Sequence, residues 1–465
     1  MSSHPWVIVG GGVSGLVLAH ELSKAGRSFV LLEGSARLGG NVRTLERDGF
    51  LYDVGPDSFL RTKPEGVELC RELGLEDQLI EPSETGVWVA RDGALFPMPE
   101  GLSLGVPTRV GALLETPLLS DLGKARAMLE PFVPPRKETG DESILHFLTR
   151  RVGAEMAERL AAPLLAGVYA GDARQLGIQA AFPQLVEFER KQGSLFRGFS
   201  RGRGPLSMLL QPPPAAARST FVTLRRGLGQ MIDALVARLP ADSVRREARV
   251  EGLQLGAAGP ELLVNGETLR ASKVVVTGAP RYPARLLTRA APELAALLGR
   301  VRGAATATVF FALRADAMER APSGTGFIVP PGEGEILAST WVSSKWDGRA
   351  PAGGVLIRAF LGGALRVGGD VMAQTDEELI STARRELKRF LGGLGPELFT
   401  AVHRYEEGSP QPEVGYADHL RRVQDELSRH PWLAWTGPGL AGVGIPDCIR
   451  EARACAQRLL ADAPS

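Results

Sequence analysis

The chain has 465 residues, of which 44% are hydrophobic, so it is long enough to bury large cores and to form two or three domains. Its 54 lysines and arginines balance 53 acidic residues, and the net charge of +1 excludes a global field that would attract nucleic acid. The three cysteines, an odd number without metal-ligand spacing, argue against a disulfide framework and predict a reducing, cytoplasmic setting without a metal site. We expect neither a signal peptide nor a membrane span, because the amino terminus leads directly into the first predicted strand and no long apolar run follows.

A glycine-rich turn between two apolar strands is the first informative element. Residues 7–9 predict a buried strand, residues 29–32 predict the next one, and Glu33 stands at its end. The turn has Gly-x-Gly-x-x-Gly spacing, which permits a tight turn and close approach to a pyrophosphate, and its predicted nucleotide contacts are Gly10, Gly11, Gly12, Ser14 and Gly15. Glu33 can accept hydrogen bonds from ribose hydroxyls, which disfavours NADP. The pattern predicts a Rossmann-type dinucleotide site rather than a plain glycine turn.

The segment directly after Glu33 distinguishes a flavin from a nicotinamide cofactor. Residues 37–44 have the spacing Arg-x-Gly-Gly-x-x-x-Thr, which is similar to an element of flavin-dependent amine oxidases. We predict that Arg37 meets phosphate charge and that Gly40 lets the chain pass close to the cofactor. A glycine turn with solvated arginines is the alternative interpretation. The favoured cofactor is FAD.

The middle of the chain returns to the same domain. Residues 230–239 predict a helix, Val250 begins a short strand, and a buried parallel strand ends at Thr277. This order resembles the middle of FAD domains, in which a residue in the place of Val250 offers its backbone to the adenine. We therefore expect Val250 and Thr277 to contact the cofactor.

The closing segment, residues 432–460, predicts a strand, a second glycine-rich turn and a helix. Only 23 residues follow Gly442, which is too few for another complete nucleotide-binding unit. We expect the helix to point its positive end at the flavin C2 carbonyl, with Gly444 and Ile445 at the contact. Without a domain for NAD(P)H, electrons must leave the reduced flavin for dioxygen, a quinone or a carrier.

Two insertions separate these returns, and the predicted fold class is α/β. Residues 1–90, 220–281 and 427–465 are predicted to form a Rossmann-type FAD domain, residues 91–219 a mostly helical domain, and residues 282–426 a sheet-containing substrate domain. The arrangement is amine oxidase-like. The predicted helices of the first insertion and strands of the second are 121–130, 143–151 and 155–165, and 305–313, 327–329, 336–342 and 355–361.

One stretch of the helical insertion mixes apolar with basic residues. Its apolar members are Phe188, Leu195, Phe196 and Phe199, and its basic members include Arg201 and Arg203. Such a stretch can lie on an anionic surface, so peripheral membrane contact is one hypothesis. A solvated charged loop is the alternative.

Three further motifs, at residues 55–59, 167–183 and 442–450, carry a family resemblance. They resemble the oxygen-dependent protoporphyrinogen oxidases, FAD enzymes that aromatise a haem precursor. The resemblance spans nearly the whole chain and implies oxidation of protoporphyrinogen IX by repeated hydride transfer to non-covalent FAD, which dioxygen reoxidises. It also implies cofactor contacts at Gly55, Pro56, Asp57 and Ser58. A homodimer is a further expectation.

The resemblance implies a dry apolar slot for the substrate. Gly167 would leave room for the macrocycle, while Ile328 and Phe360 would sandwich it. Holding the reacting carbon about 3–3.5 Å from flavin N5 can account for several kcal/mol of the barrier. Ordinary core packing is the alternative for the two apolar residues.

Asp57 is the polar candidate for catalysis. A carboxylate beside the flavin can accept a pyrrole N–H hydrogen bond or take the released proton. The alternative is a turn residue that caps the bend at Gly55 and Pro56.

Two departures from the family pattern leave the substrate open. Val87 stands where many members carry an arginine that can pair with a propionate, and residues 410–413 depart from the usual Pro-Gln-Tyr motif. Coproporphyrinogen III, with four propionates, is the close alternative substrate. A flavin amine oxidase, a carotenoid desaturase and a flavin-binding scaffold without turnover are the remaining alternatives.

Overall fold

The structure is a computed structural model that describes residues 4–108, 110–138, 140–200, 219–257, 259–319 and 323–462. The predicted basic residues Arg201 and Arg203 lie outside this part of the chain. The chain forms two compact units. The terminal unit comprises residues 1–81, 219–303 and 418–465, and the inserted unit comprises residues 82–218 and 304–417.

The described strands, numbered in chain order, are β1 (Trp6–Val9), β2 (Phe29–Leu32), β3 (Thr44–Arg47), β4 (Phe50–Asp53), β5 (Phe59–Leu60), β6 (Leu79–Ile80), β7 (Val87–Arg91), β8 (Ala94–Pro97), β9 (Leu102–Ser103), β10 (Val106–Pro107), β11 (Phe221–Leu224), β12 (Val244–Arg245), β13 (Val250–Gly256), β14 (Gly259–Val264), β15 (Glu267–Arg270), β16 (Lys273–Thr277), β17 (Gly303–Arg314), β18 (Gly326–Ile328), β19 (Ala338–Trp341), β20 (Gly354–Gly362), β21 (Phe399–Pro410) and β22 (Leu433–Thr436).

The described α-helices are α1 (Val13–Lys24), α2 (Pro64–Glu72), α3 (Val110–Glu115), α4 (Asp121–Met128), α5 (Ile144–Val152), α6 (Ala154–Met156), α7 (Ala162–Gly167), α8 (Ile178–Ala181), α9 (Pro183–Gln192), α10 (Leu195–Phe199), α11 (Gly229–Val236), α12 (Arg281–Leu286), α13 (Pro292–Gly299), α14 (Val342–Lys345), α15 (Asp376–Leu391), α16 (Tyr416–Ser428) and α17 (Ile445–Ala461). A π-helical turn, Ala157–Ala161, joins α6 to α7.

The terminal unit is built on a five-stranded parallel sheet in the order β12-β2-β1-β16-β22. Its central strands are continuous apolar runs, and all four residues of β1 are buried. Such strands need cover on both faces, as parallel sheets do. Helices α1, α2, α11 and α17 contribute to the core on one face. Helices α12 and α13, with the antiparallel sheet β13-β14-β15, contribute to the core on the other.

The inserted unit contains a seven-stranded mixed sheet in the order β21-β17-β20-β19-β18-β7-β8. Strand β7 pairs with β18 in parallel, while β18, β19, β20 and β17 pair antiparallel in succession. Alternate side chains of these strands pack with apolar residues of α15, such as Leu379 and Leu387, in one core. Thr375 and Glu378 form a capping box that begins α15.

The helical part of the inserted unit is organised around buried charge. Arg151 is fully buried, and its Nε donates a hydrogen bond to Glu130 Oε1 at 2.8 Å. Glu130 also accepts hydrogen bonds from the Ser194 hydroxyl and the Leu195 N–H. These partners offset the cost of placing a carboxylate and a guanidinium among apolar helices.

The stretch predicted to contact a membrane is folded inward. Leu195 and Phe196 are buried, and the rings of Phe188 and Phe199 pack on each other with centroids 4.9 Å apart. These four side chains therefore do not form the exposed apolar surface that the membrane hypothesis needs. Among the described helices, none has the length and apolar content that crossing a bilayer requires.

Besides residues 418–426, which lie in the terminal unit and not in the predicted substrate domain, the described boundaries differ from the predicted ones in two places. Strand β7 belongs to the inserted unit because it pairs with β18, although residues 1–90 were predicted to form one part of the FAD domain. Helices α12 and α13 belong to the terminal unit, although the substrate domain was predicted to begin at residue 282. Both differences arise from pairing and packing between segments far apart in the sequence.

Candidate functional site

The first glycine turn of the terminal unit closes tightly against the end of β16. Gly10 has φ +107°, which favours glycine, and a Cβ built on it would lie 2.5 Å from Thr277 Oγ1. The Thr277 hydroxyl lies 3.0 Å from the carbonyl oxygens of both Val9 and Gly10. A Cβ on Gly15 would lie 2.0 Å from the Gly10 carbonyl oxygen, so α1 can begin this close to the turn only with glycine there.

The amino end of α1 is open for an anion. Gly12 is the N-cap residue, and within the described residues no side chain caps the first turn. A Cβ on Gly12 would meet only the Cα of Gly40, at 3.9 Å. The N–H groups of the first turn, with the buried Ser14, can therefore face a pyrophosphate.

Glu33 is held in place at the end of β2. Its Oε2 accepts a hydrogen bond from the Gly11 N–H at 2.8 Å. Its Oε1 accepts from the N–H and the hydroxyl of Ser35, each at 2.8 Å. Oε1 thus uses both of its lone pairs, whereas Oε2 has one further lone pair, so Glu33 keeps the capacity to accept from a ribose hydroxyl.

The second glycine-rich segment lies against the first. The Gly39 N–H donates to the Gly11 carbonyl oxygen at 2.8 Å, and Gly40 has φ +58°. Arg37 is exposed, and its Nη2 donates to the Gly40 carbonyl oxygen at 2.7 Å. The structure thus places Arg37 across its own loop, which fixes the loop beside the open end of α1.

The threonine of this segment has a role that sequence reasoning missed. Thr44 Oγ1 donates to Asp53 Oδ1 at 2.6 Å and accepts from the Gly229 N–H at 2.8 Å. The buried Asp53 also accepts from the Leu228 N–H at 3.0 Å. These bonds fix the start of α11 to the glycine-rich segment. The sequence signal for this turn was Gly227, which has φ +84° in the structure.

The turn at residues 55–58 is tightly packed at its start and more open at its end. A Cβ on Gly55 would lie 1.8 Å from the Asn41 carbonyl oxygen, so this position requires glycine. Pro56, Asp57 and Ser58 are half-buried, and the Ser58 hydroxyl donates to Asp57 Oδ1 at 2.8 Å. The carboxylate of Asp57 therefore bonds to the neighbouring side chain, and its role in catalysis or in the turn stays a prediction.

The remaining predicted cofactor contacts lie at the ends of β13 and β16 and the start of α17. Val250 is buried beside a register shift at the start of β13. Gly444 is the N-cap of α17, Ile445 is its first residue, and within the described residues no hydroxyl or amide side chain caps the helix. The N–H groups of its first turn give this helix a positive end, and its contact with the flavin stays a prediction.

A buried charge cluster at this helix start was not predicted. Asp447 is 3% exposed, and Lys63 Nζ lies 2.7 Å from both of its carboxylate oxygens. Arg450 Nη2 donates to Asp447 Oδ1 at 2.8 Å, and the Gly444 N–H donates to Oδ2 at 3.3 Å. The only sequence signal was an acidic residue in the first turn of the helix.

The terminal unit as described fits a dinucleotide. A Cβ at Gly10 or Gly15 would fill its turn, while the first turn of α1 is open and the acid of β2 stands beside it. Those residues would hold the pyrophosphate and a ribose of FAD. Burial raises the pKa of the Cys448 thiol to about 12, so this cysteine is a neutral thiol at physiological pH.

In the inserted unit, two predicted substrate contacts lie in one row of the sheet. Ile328 of β18 and Phe360 of β20 both pair with Ala338 of β19, so the three side chains share a face. All three are half-buried. Their face is opposite the one that packs with α15, because the residues next to them, Phe327 and Ala359, belong to that core.

Gly167, the third predicted substrate contact, ends α7 in the inserted unit. It is exposed, and a Cβ built on it would meet no described atom within 4 Å. The position is therefore open, as room for a ligand would require.

The chain is similar over nearly its whole length to known flavin enzymes. Residues 13–460 match the family described as flavin-containing amine oxidoreductase. The coproporphyrinogen III oxidase of Bacillus subtilis (strain 168) is 34% identical over 461 residues, which cover 96% of each chain. The chloroplastic protoporphyrinogen oxidase of Oryza sativa subsp. japonica is 31% identical over 493 residues, covering 97% of this chain and 87% of the relative.

A solved structure gives the same result for the fold. The crystal structure of a protein assigned as a protoporphyrinogen oxidase, from Exiguobacterium sp. 255-15, superposes with a TM-score of 0.86. It is 30% identical and covers 100% of both chains. The predicted amine oxidase-like α/β fold and the predicted family resemblance are confirmed.

The chain belongs to the flavin-containing amine oxidoreductase family. It is therefore a flavoprotein oxidoreductase. The two relatives described above are named as porphyrinogen oxidases.

Proposed function

We propose that this protein is an FAD-dependent porphyrinogen oxidase that aromatises its substrate by repeated hydride transfer, with dioxygen as the final electron acceptor. The observation that carries the proposal is the full-length similarity to relatives named for this activity, joined to a terminal unit that fits FAD. When bound, FAD supplies the hydride acceptor.

The row Ile328–Ala338–Phe360 has the form of a slot for one edge of the macrocycle. Two larger side chains flank a small one, and adjacent strands are about 4.8 Å apart, so Ile328 and Phe360 stand about 10 Å apart at the backbone. A planar pyrrole ring of the porphyrinogen in contact with both sides needs roughly 7–8 Å between them. Ile328 and Phe360 would sandwich the ring, with Ala338 as the floor of the slot.

Asp57 is the proposed polar group of the reaction. Hydride loss from a porphyrinogen methylene leaves a cation that the pyrrole nitrogens stabilise, and a pyrrole N–H then releases a proton. Asp57 Oδ1 accepts from the Ser58 hydroxyl, and an ionised carboxylate offers several acceptor sites, one of which can receive a pyrrole N–H. The same carboxylate can accept the released proton. No stronger base is required.

Two substrates are compatible with this proposal. The family resemblance favours protoporphyrinogen IX, with coproporphyrinogen III as the close alternative. The similarity to the Bacillus subtilis coproporphyrinogen III oxidase, at 34% identity, exceeds that to the rice protoporphyrinogen oxidase, at 31%. We therefore give coproporphyrinogen III the first place in the test and protoporphyrinogen IX the second.

The test is anaerobic mixing of the FAD-loaded protein with each porphyrinogen. Bleaching of the flavin absorbance would show electron transfer to the flavin, and admission of air should restore the flavin and release a fluorescent porphyrin. Protein-free porphyrinogen is the control for spontaneous oxidation. Faster bleaching by one substrate identifies it, whereas no bleaching by either would reject the proposal and direct the search to amines and polyenes.

A further inference from the structure

A buried arginine lies on the same face of the inserted sheet as the proposed slot. Arg358 precedes Phe360 by two residues in β20, so the two side chains project from the same face. Strand register places Arg358 between Phe310 of β17 and Thr340 of β19. Its row is therefore the next one along the strands from the row that holds the slot.

The aromatic neighbours of Arg358 define its position. Its Cζ lies 4.4 Å from the ring centroid of Phe360 and 5.3 Å from that of Phe310. These distances are in the range of cation–π contacts, which favour a guanidinium over the compact ammonium of lysine. Arg358 is 5% exposed, so its charge is withdrawn from water beside the proposed ring-binding residue.

A second polar group lies next to this arginine. Thr308 of β17 pairs with Phe360 and is 2% exposed. Its hydroxyl has no hydrogen-bond partner among the residues that the structure describes. Phe310 pairs directly with Arg358 across the strands, so Thr308 is the diagonal neighbour of Arg358. Residues in this relation are about 7–8 Å apart at the backbone, which a long side chain such as that of arginine can span. A buried donor of this kind is satisfied when a ligand supplies the acceptor.

We propose that Arg358, assisted by the Thr308 hydroxyl, binds a propionate carboxylate of the porphyrinogen. This inference rests on the proposed function and deepens it. A carboxylate is the planar anion that a guanidinium binds through two parallel hydrogen bonds. The carboxylate accepts hydrogen bonds from the Thr308 hydroxyl and from the Arg358 guanidinium, while the macrocycle occupies the slot beside Phe360. Arg358 thereby pairs with a propionate, which is the role that the resemblance implied for an arginine at the position of Val87.

The experiment compares binding of a carboxylate porphyrin and its ester. FAD-loaded full-length protein is titrated with coproporphyrin III and, in the same detergent buffer, with coproporphyrin III tetramethyl ester, and fluorescence gives the Kd of each. We expect Arg358→Met to raise the Kd of the free acid about ten-fold or more, while the Kd of the ester changes less than about three-fold. Arg358→Lys keeps the charge and should give a smaller loss.

Two further variants keep the inference open to refutation. Thr308→Val should raise the Kd of the free acid without lowering the Tm, because the hydroxyl that it removes has no described protein partner. If Arg358→Met does not fold, the Kd values of Thr308→Val for the acid and the ester test the proposal. Arg314→Met is the matched control, since Arg314 ends β17 in the same sheet and its side chain is 67% exposed.

The outcomes separate this inference from the proposed function. Equal losses for the acid and the ester, or unchanged binding of the acid by Arg358→Met and Thr308→Val, would overturn the role of Arg358. If the wild-type protein instead neither oxidises a porphyrinogen nor binds coproporphyrin III, the proposed function itself fails. Wild-type oxidation with a selective loss of acid binding in the variants supports both.

Discussion

Gly15 shows how one missing side chain determines the approach of a helix to its turn. The Cβ of an alanine would lie 2.0 Å from the Gly10 carbonyl oxygen, and backbone on both sides leaves little room to relax. We expect Gly15→Ala to lower the free energy of unfolding by about 1–3 kcal/mol and to weaken FAD binding about ten-fold. Denaturant titration and FAD fluorescence titration measure the two effects.

Gly252→Ala is the matched control for Gly15→Ala. A Cβ on Gly252 would meet no described atom within 4 Å, so a small effect is expected. If Gly15→Ala bound FAD as tightly as the wild type, the proposed cradle at the start of α1 would be wrong.

Asp57 can be tested for catalysis separately from its role in the turn. We expect Asp57→Asn to reduce kcat about a hundred-fold while the Tm stays near the wild-type value, because the amide cannot take the pyrrole proton. Ser58→Ala is the control, since it removes the 2.8 Å hydrogen bond to Oδ1 and keeps the carboxylate. A lowered Tm with unchanged kcat of the folded fraction would favour the turn-capping interpretation.

Ala338 tests the slot by its volume. Ala338→Leu places a branched side chain between Ile328 and Phe360, and we expect kcat/KM to fall about a hundred-fold because the ring can no longer enter. Ala338→Gly leaves the slot open and should retain most of the activity. Full activity of Ala338→Leu would show that the macrocycle does not lie in this row.

At the scale of elements, α9 contributes a buried carboxylate that responds to pH. Burial acts to raise the pKa of Glu189, but the hydrogen bond from Arg150 and the charges of Arg150 and Arg151 outweigh burial and hold that pKa below its ordinary value of 4.5. The unfolded chain therefore binds this proton more readily than the folded one. The resulting stability is present above pH 4.5 and is lost as the pH falls through the lower pKa of the folded state.

We expect Glu189→Gln to lower the free energy of unfolding at neutral pH by about 1.5–3 kcal/mol and to reduce its decline below pH 4.5. Glu187→Gln is the matched control on the same helix, because Glu187 is exposed and pairs with Lys191 at the surface. Glu187→Gln should change the free energy of unfolding by no more than about 0.5 kcal/mol. If the free energy of unfolding of Glu189→Gln declined below pH 4.5 as steeply as that of the wild type, this account would be wrong.

The elements that the sequence predicted well were those with strong local patterns. The strand at 305–313 and the helix at 446–460 are present as β17 and α17, within a residue or two. The predicted helix at 155–165 is instead divided among α6, a π-helical turn and α7, with Ala157–Ala161 as the turn. Apolar spacing cannot distinguish these states, because all of them place buried residues on one side.

At the scale of the whole molecule, the cofactor should stabilise the folded chain by mass action. The buried thiol of Cys448 has a pKa of about 12, so it is not a nucleophile for covalent attachment of the flavin. We therefore expect that denaturing the protein and passing it through an ultrafiltration membrane releases all FAD into the filtrate. FAD at a hundred times its Kd should add about 2.7 kcal/mol to the free energy of unfolding. Thermal scans of stripped and reloaded protein measure this gain, and flavin retained on the denatured chain would refute non-covalent binding.

The sequence by itself determined the flavin class of the cofactor, because glycine spacing, a strand-terminal acid and a carboxyl-terminal helix are local patterns with local physical causes. The family was predicted from the resemblance of the motifs at residues 55–59, 167–183 and 442–450. It did not determine the contacts that bring distant segments together. The bond of Lys63 to Asp447 joins positions 384 residues apart, and the row that links Ile328, Ala338 and Phe360 depends on strand register. Which residues face each other across a sheet, and which charges share a buried site, are decided by tertiary packing, and that packing reveals Arg358 beside Phe360.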